Sequence, residues 1–297
     1  MNIFRLSNIN VYKFLSLFSI IRGYNIFILI LAQYMTAKYI FNPIQSWKAL
    51  FFDINFLLIV LATALSTSAG YIINNFFDSP KDKLNRPNKF FIENLISKKI
   101  QFFLYVILNF FSIIIAAQIS LNAIIFFSFY ILGIYLYSNY IKRSFWLSNI
   151  FSSILMIMPF LALFIYFKNF NYIIFYFACY LFFLIFSRDL IKDLESLKGD
   201  SFYSYKTLPV VYNSKITKII FSLAIFLTFI PVYFLIIEDL GLMSYYFIFS
   251  IPFFLIVLLI LWLYNRGEIY LIIHNLLKAW ILLGVLSICL LNINFIF

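Results

Sequence analysis

The stretch "FDINFLLIVLATALSTSAGYIINNFFDSPKDKLNRP", residues 52–87, joins a long apolar run to a short segment dense in charge. Crossing a bilayer as a helix takes about 20 mostly apolar residues, because hydrocarbon offers no hydrogen-bond partner to a bare backbone. The apolar part of this stretch is long enough to do so. We therefore predict a membrane-spanning helix that ends in a cluster of acids and bases.

The composition of the whole chain also places it in a bilayer. Of its 297 residues 65% are hydrophobic and 11% charged, whereas a soluble domain carries roughly a quarter charged residues. The net charge is +11, and the Lys and Arg residues behind it are concentrated in short stretches between apolar runs. It therefore indicates topology, and no nucleic-acid partner is expected. Cys179 and Cys289 lie inside apolar runs without metal or disulfide spacing, so we expect small packing residues.

Runs long enough to span predict an all-α polytopic membrane protein with nine transmembrane helices around a central cavity, in a single domain covering residues 1–297. The N-terminal run shows no small-residue cleavage site, so it is expected to be retained as the first helix. The predicted spans are 14–41, 52–77, 99–118, 121–139, 147–168, 171–190, 215–236, 244–264 and 269–294.

Basic residues are concentrated in the loops after the second, fourth, sixth and eighth runs, which share one membrane face. By the positive-inside rule this face is cytoplasmic. We therefore predict an integral protein of the cell (inner) membrane whose N-terminus and active-site loops lie in the cytoplasm. Residues 90–100 and 188–197 carry apolar side chains at spacings of three and four. They predict short cytoplasmic helices that cap the cavity.

Two pairs of acids stand out in these loops. Asn74, Asp78 and Asp82 are four residues apart, so they share one face if the helix continues past Pro80, which can bend it. Asp189 and Asp193 repeat the spacing after the sixth run. Carboxylates one turn apart repel where water is scarce, so both pairs call for a cation.

A hard divalent ion such as Mg²⁺ suits this set of oxygen ligands, and it completes its shell with water and phosphate oxygens. Bases between the acids would then neutralise an anion, so the combination describes a diphosphate site. The alternative is that these charges merely decorate helix ends at the membrane surface. The bases concerned are Lys81, Lys83, Arg86, Arg188, Lys192 and Lys206.

The two motifs resemble a known family. "NNFFDSPKDKLNRP", residues 74–87, is similar to the N-D-x-x-D-x-x-x-D motif of the UbiA superfamily of intramembrane prenyltransferases, including its trailing Asn-Arg-Pro. "RDLIKDLESLKGD" and the following "YKTLP", residues 188–209, resemble the family's second aspartate motif. The resemblance covers nearly the whole chain. Asn75 departs from it, since the family usually has an Asp there.

The resemblance implies a mechanism. Mg²⁺ would bind a prenyl diphosphate, the allylic C–O bond would ionise, and a membrane-soluble acceptor would attack the carbocation-like centre, which aromatic rings could shield. The implied catalytic residues are Asp78, Asp82, Asp189 and Asp193. The implied metal ligands are these four acids and Asn74. The implied substrate-binding residues are Arg22, Asn25, Asn74, Arg86, Lys142, Lys192 and Lys206.

Some of these residues have simpler explanations. "IRGYN", residues 21–25, resembles the family's Arg-Pro-x-Asn, but Arg22 could instead snorkel to the membrane surface. Lys142, with Arg143, could serve topology alone. His274 is expected to be a packing residue, with a role as a base as the alternative.

The acceptor is predicted from the second motif. The stretch around Glu195 is similar to the branch that transfers geranylgeranyl groups onto geranylgeranylglyceryl phosphate. Prenylation of an aromatic quinone precursor, of the menaquinone or ubiquinone type, is the alternative. A CDP-alcohol phosphotransferase is disfavoured because its D-x-x-D-G-x-x-A-R signature does not occur. A cation transporter is disfavoured because the acids lie at helix ends and not at mid-membrane.

Overall fold

The computed structural model describes residues 9–144, 147–238, 240–264 and 267–291. For residues 9–11 it describes the backbone alone. Within these ranges every regular element is a helix, and the one pair of β-bridged residues is Gly241 with Leu291. Eight helices of the described residues are long and apolar enough to cross a membrane, and the number of spans is nine if a bent helix pair is counted as one span. The predicted all-α membrane architecture is therefore confirmed.

The helices follow the predicted spans closely. They are α1 Ile9–Ile20, α2 Gly23–Thr36, α3 Trp47–Phe51, α4 Ile54–Asn85, α5 Pro87–Glu93, α6 Lys98–Ile119, α7 Leu121–Asn139, α8 Leu147–Phe167, α9 Tyr172–Glu195, α10 Leu197–Phe202, α11 Leu208–Tyr212, α12 Ser214–Ile237, α13 Ser244–Leu263 and α14 Gly267–Ser287. The end of the last predicted span, 292–294, lies outside the described residues. Helices α4 and α9 run past their predicted ends into the charged segments.

The first predicted span, 14–41, is bent. Its two parts, α1 and α2, meet at an angle of 50°, and α2 continues into a π-helical turn, Ala37–Phe41. The break lies at Arg22, whose φ of 51° is in the left-handed region. That region is uncommon for residues other than glycine, and it turns the chain out of the helix.

Helix α4 continues through Pro80 to Asn85. A proline inside a helix removes one backbone hydrogen bond. Here it lies in the last turns, so few residues depend on that bond. Serine and threonine side chains of α4 also make hydrogen bonds within the helix and to a neighbouring helix. Ser66 Oγ donates to the carbonyl of Ala62 at 2.8 Å, and Thr67 Oγ1 lies 3.1 Å from Tyr130 Oη on α7.

The chain divides into two compact units. The first comprises Met1–Ile30 and Leu58–Asn139, and the second comprises Leu31–Leu57 and Tyr140–Phe297. Single-domain organisation over residues 1–297 stays a prediction. In the second unit α9 packs against α8, α12 and α14, and Leu184, Leu190 and Ile191 on it are fully buried.

The long loops contain short helices, but neither of the predicted stretches, 90–100 and 188–197, forms a single short helix. Helix α5 ends at Glu93 and α6 begins at Lys98, where Ser97 accepts a hydrogen bond from the amide of Ile100 and caps the new helix. The second stretch divides between the end of α9 and α10. That these helices cap a cavity stays a prediction.

Candidate active site

The first acidic motif lies on one helix in the first unit. Because α4 is continuous to Asn85, Asn74, Asp78 and Asp82 succeed one another by single turns and share a face, as predicted. Asp78 is buried. Arg86 occupies the one-residue break between α4 and α5, and its amide donates to the carbonyl of Asp82 at 2.8 Å. The guanidinium-bearing residue therefore directly follows the metal-binding face that we predict.

A lysine outside the predicted site residues contacts this motif, and a buried glutamate contacts the lysine in turn. Lys89 Nζ lies 2.8 Å from Asp82 Oδ2 and 3.5 Å from Glu93 Oε2. Glu93 Oε1 accepts a hydrogen bond of 3.2 Å from Ser19 Oγ. Burial raises the pKa of the Glu93 carboxyl, and the nearby Lys89 ammonium partly opposes that rise. The only sequence signal was an i, i+4 pair of opposite charges on α5.

Asn75, where the family usually has an Asp, points away from the acidic face. Its side chain is buried and its Nδ2 donates to Gln101 Oε1 at 3.5 Å. Gln101 Nε2 in turn donates to the carbonyls of Glu93 and Ile96, at 3.2 and 3.0 Å. Asn75 thus fastens the segment between α5 and α6, so the missing charge leaves the acidic face intact.

The predicted substrate-binding residues of the first span meet at Tyr71 of α4. The guanidinium carbon of Arg22 lies 4.8 Å from the centroid of the Tyr71 ring, and Asn25 Nδ2 donates to Tyr71 Oη at 3.5 Å. Tyr71 is three residues before Asn74, about one helical turn along α4. Both Arg22 and Asn25 therefore contact α4 about one helical turn before the first acidic motif. Their role in substrate binding stays a prediction.

The second acidic motif lies at the end of α9, in the second unit. Asp189 is 4% exposed, and its Oδ2 accepts a hydrogen bond from Ser152 Oγ while its Oδ1 contacts Arg188 Nη2 at 2.9 Å. Asp193 Oδ2 accepts a hydrogen bond of 2.9 Å from Asn149 Nδ2. Two polar residues three apart on α8 thus hold both carboxylates. Polar side chains at this spacing in an apolar helix were the overlooked signal.

The basic residues of the second unit are arranged around the loop after α10. The amide of Lys206 donates to the carbonyl of Arg143 at 3.1 Å, and the Arg143 guanidinium carbon lies 5.4 Å from the Tyr205 ring. Lys142 is buried beside them in the chain. The structure therefore brings the predicted segments of Lys142 and Lys206 together, and Lys192 lies on α9 between the two acids.

Two further acids have structural partners. Asp200 is fully buried, and its Oδ2 accepts hydrogen bonds from Ser196 Oγ at 2.7 Å and Thr207 Oγ1 at 3.5 Å. Asp200 therefore fastens the turn that carries Lys206. His274 of α14 is buried, and its Nδ1 lies 2.7 Å from Glu195 Oε2. This contact supports the packing role expected for His274.

Oxygen ligands for a hard cation are present in both motifs. Across residues 9–144, 147–238, 240–264 and 267–291, no three Asp, Glu, His or Cys side chains form a ready-made metal cluster. Mg²⁺ does not require one, since it binds through one or two carboxylates and takes its other ligands from water and phosphate. Carboxylates held by neighbouring side chains, with bases nearby, fit that requirement.

Residues 44–280 match the model of the UbiA prenyltransferase family. This chain belongs to that family. The matched segment contains both acidic motifs and the helices that carry them. It begins after Arg22 and Asn25, so their assignment rests on the "IRGYN" resemblance and on the contacts with Tyr71.

Curated members of the family are similar to this chain. The digeranylgeranylglyceryl phosphate synthase of Methanosphaera stadtmanae is 31% identical over 220 residues, which cover 72% of this chain and 75% of that protein. The protein of the same name from Thermococcus sibiricus is 35% identical over 173 residues, 57% of this chain. This chain spans only 61% of the length of the Thermococcus protein.

A solved structure shares the fold. A UbiA homologue from Archaeoglobus fulgidus, in a structure bound to DMAPP and Mg²⁺, superposes with a TM-score of 0.67 at 15% identity and covers 93% of this chain and all of that one (100%). The UbiA fold of this chain is thereby confirmed. The chain is an integral membrane protein by its family and its apolar helices.

Proposed function

We propose that this protein is a Mg²⁺-dependent intramembrane prenyltransferase that moves a geranylgeranyl group from its diphosphate to geranylgeranylglyceryl phosphate. The carrying observation is the pair Asp189 and Asp193, one turn apart at the end of a membrane helix and each held by a hydrogen bond from α8. The printed names of the relatives support the choice of acceptor, and the A. fulgidus structure supports the choice of metal.

The ligands for Mg²⁺ are proposed to be Asn74, Asp78, Asp82, Asp189 and Asp193. This requires that the two acidic motifs face a common pocket, which is the central premise of the proposal. The bound ion would supply charge neutralisation to the diphosphate oxygens as the leaving group departs. Holding the carboxylates in fixed orientations is the task of this chain's own residues, Asn149 and Ser152.

The bases hold the diphosphate. Arg86, Lys142, Lys192 and Lys206 are proposed to donate hydrogen bonds to its oxygens, which stabilises the negative charge that develops there. The allylic C–O bond then breaks, and its electron pair goes to the diphosphate oxygen. Arg22 and Asn25 are proposed to bind the same substrate at the Tyr71 end.

The acceptor completes the reaction. Its free hydroxyl oxygen forms a new C–O bond with the allylic carbon, and its proton leaves with the released diphosphate. Both substrates carry lipid tails, so we propose that they enter from the bilayer into a cavity among the helices. Excluding water there prevents capture of the allylic cation by hydrolysis.

The orientation in the membrane follows from the charge asymmetry of the loops. We propose that the acidic motifs, the loops after α4, α7 and α9, and the N-terminus face the cytoplasm of the cell membrane. Single cysteines at exposed Ser201 and at exposed Ser120, in a background without Cys179 and Cys289, test this. In sealed cells an impermeant maleimide should label Ser120→Cys only. Labelling of Ser201→Cys from outside would contradict the orientation.

A direct assay tests the activity. Purified protein with Mg²⁺ and radiolabelled geranylgeranyl diphosphate should prenylate geranylgeranylglyceryl phosphate in preference to an aromatic quinone precursor. Asp78→Asn and Asp193→Asn should each abolish transfer while the helical content by circular dichroism is retained. Transfer to the aromatic acceptor alone would overturn the acceptor. Turnover at the unmodified rate in either variant would overturn the metal role.

A further inference from the structure

Lys89 lies between two carboxylates of the first unit. Its Nζ is 2.8 Å from Asp82 Oδ2, which lies on the predicted metal-binding face of α4. The same Nζ is 3.5 Å from Glu93 Oε2 on α5. The ammonium therefore occupies one of the two Asp82 oxygens that are available to a divalent cation. A cation that uses Oδ2, alone or together with Oδ1, has to displace Lys89, because the two positive charges repel each other at this distance.

Glu93 is fixed where the displaced ammonium would arrive. It is 2% exposed, and Ser19 Oγ donates to its Oε1 at 3.2 Å, which leaves Oε2 facing Lys89. Its backbone carbonyl is held by Gln101 Nε2 at 3.2 Å. Lys89, by contrast, keeps 26% of its side chain exposed on a stem with four rotatable bonds. The Lys89 side chain therefore has more freedom to change its conformation than the buried Glu93 side chain.

The buried Glu93 carboxylate lies among several charged side chains and needs a positive charge near it. Glu93 interacts electrostatically with Lys89, Arg22 and Asp82, and the ammonium of Lys98 interacts with Glu93, Asp82 and Asp78. A buried carboxylate is costly unless a positive charge faces it. Glu93 therefore gains when Lys89 turns toward it, and Asp82 can do without Lys89 once another cation is bound.

We propose that Glu93 is a positioning residue for the first acidic motif, because it receives the Lys89 ammonium when Asp82 takes up a divalent cation. Residues behind a metal site commonly change metal affinity by roughly 10- to 100-fold. Glu93 would act only through Lys89. The inference rests on the proposed function, since it requires that Asp82 bind the metal.

The consequence is a coupling between two substitutions. Glu93→Gln keeps the shape and the contact with Ser19 but removes the charge that attracts Lys89. The lysine then stays on Asp82, and divalent-cation binding should weaken by about tenfold. In a Lys89→Met background the ammonium that Glu93 attracts is absent. Adding Glu93→Gln there should change affinity by less than about twofold.

The experiment is a double-mutant cycle on Mn²⁺ binding, measured by electron paramagnetic resonance of free Mn²⁺ with the full chain in detergent. Such a cycle isolates coupling from general electrostatics, which would weaken binding by the same factor in both backgrounds. Lys83→Met is the matched control, since it removes an exposed positive charge next to Asp82 in sequence. Glu93→Asp, which retains the charge, should bind Mn²⁺ more tightly than Glu93→Gln. Thermal unfolding checks that each variant is folded.

A tenfold effect of Glu93→Gln that disappears without Lys89, and that Lys83→Met does not remove, supports the inference. Equal factors in both backgrounds, or no effect of Glu93→Gln, overturn it and leave the proposed function standing. If Glu93→Gln does not fold, Glu93→Ala, which also removes the charge, replaces it in the cycle with the same criterion. Absence of saturable Mn²⁺ binding by the unmodified protein, or binding unchanged by Asp82→Asn, overturns the metal site and this inference together.

Discussion

Ser152 and Asn149 each donate a hydrogen bond to one carboxylate of α9, and both donors come from one face of α8. Such contacts fix the carboxylate planes and lessen the repulsion between two acids one turn apart. None of this was predicted from the sequence. The acids themselves were predicted, because their spacing is local, whereas their partners depend on how two helices pack.

Ser152→Ala should therefore lower the transfer rate by roughly 10- to 100-fold and raise the Mg²⁺ concentration for half-maximal activity. Ser153→Ala is the matched control, since Ser153 is fully buried on the same helix but donates to the carbonyl of Asn149. Initial rates against Mg²⁺ concentration measure both. Equal losses in the two variants would mean that Ser152 matters only for packing.

Tyr71 supports Arg22 through its ring and Asn25 through its hydroxyl. A cation over an aromatic face contributes about 0.5–2 kcal/mol. Tyr71→Leu should raise KM for the prenyl diphosphate by roughly threefold to thirtyfold, while Tyr71→Phe, which keeps the ring, should raise it less. Steady-state kinetics of the Tyr71→Leu and Tyr71→Phe variants measure the two KM values. An effect of Tyr71→Phe as large as that of Tyr71→Leu would assign the role to the hydroxyl.

Glu93 gives the protein a pH-dependent stability. Burial raises the pKa of its carboxyl above the ordinary 4.5 in the folded state, so the folded protein binds more protons than the unfolded one. This contribution is fully present below the ordinary pKa and is lost as the pH rises through the folded pKa. The melting temperature of the unmodified protein relative to Glu93→Gln should therefore rise as the pH falls toward 4.5. The opposite slope would contradict the raised pKa.

At the scale of the elements, the sequence predicted nearly every span because the need for about 20 apolar residues is a local property. The predicted membrane spans end near residues 77 and 190, because the apolar runs stop there and charged residues follow. In the structure those residues continue the helices to Asn85 and Glu195. The bend at Arg22 was not predicted, since it depends on a backbone conformation that composition does not reveal.

Close packing between α4 and α7 depends on a glycine. A Cβ at Gly70 would lie 2.9 Å from Ile134 Cγ2, closer than real carbon atoms approach. Gly70→Val should therefore destabilise the protein by about 1–3 kcal/mol. Adding Ile134→Ala should restore part of that loss. Gly267→Ala is the control, since nothing lies within 4 Å of a Cβ there.

Thermal unfolding in detergent measures these variants. The Gly70→Val protein should melt below the unmodified one, and Gly267→Ala should differ from it by no more than about 0.5 kcal/mol. Gly70→Val melting at the unmodified temperature would show that α7 moves away at no cost, contrary to the close packing described.

At the scale of the molecule, the family and the fold were predictable because the two acidic motifs and the hydrophobic spans are both visible in one sequence. The contacts that tie each motif down, from Lys89, Glu93, Asn149 and Ser152, arise separately within the two units. The proposed reaction depends on the premise that the acids of α4 and α9 bind one metal site and one diphosphate together.

A crystal structure with Mn²⁺ and geranylgeranyl thiodiphosphate, using the anomalous signal of manganese, tests this premise most directly. The account predicts Mn²⁺ bound by Asp78 or Asp82 and by Asp189 or Asp193, with the diphosphate between the two motifs. Metal bound by one motif alone, with the acids of the other more than about 10 Å from the diphosphate and therefore beyond strong electrostatic reach, would contradict it.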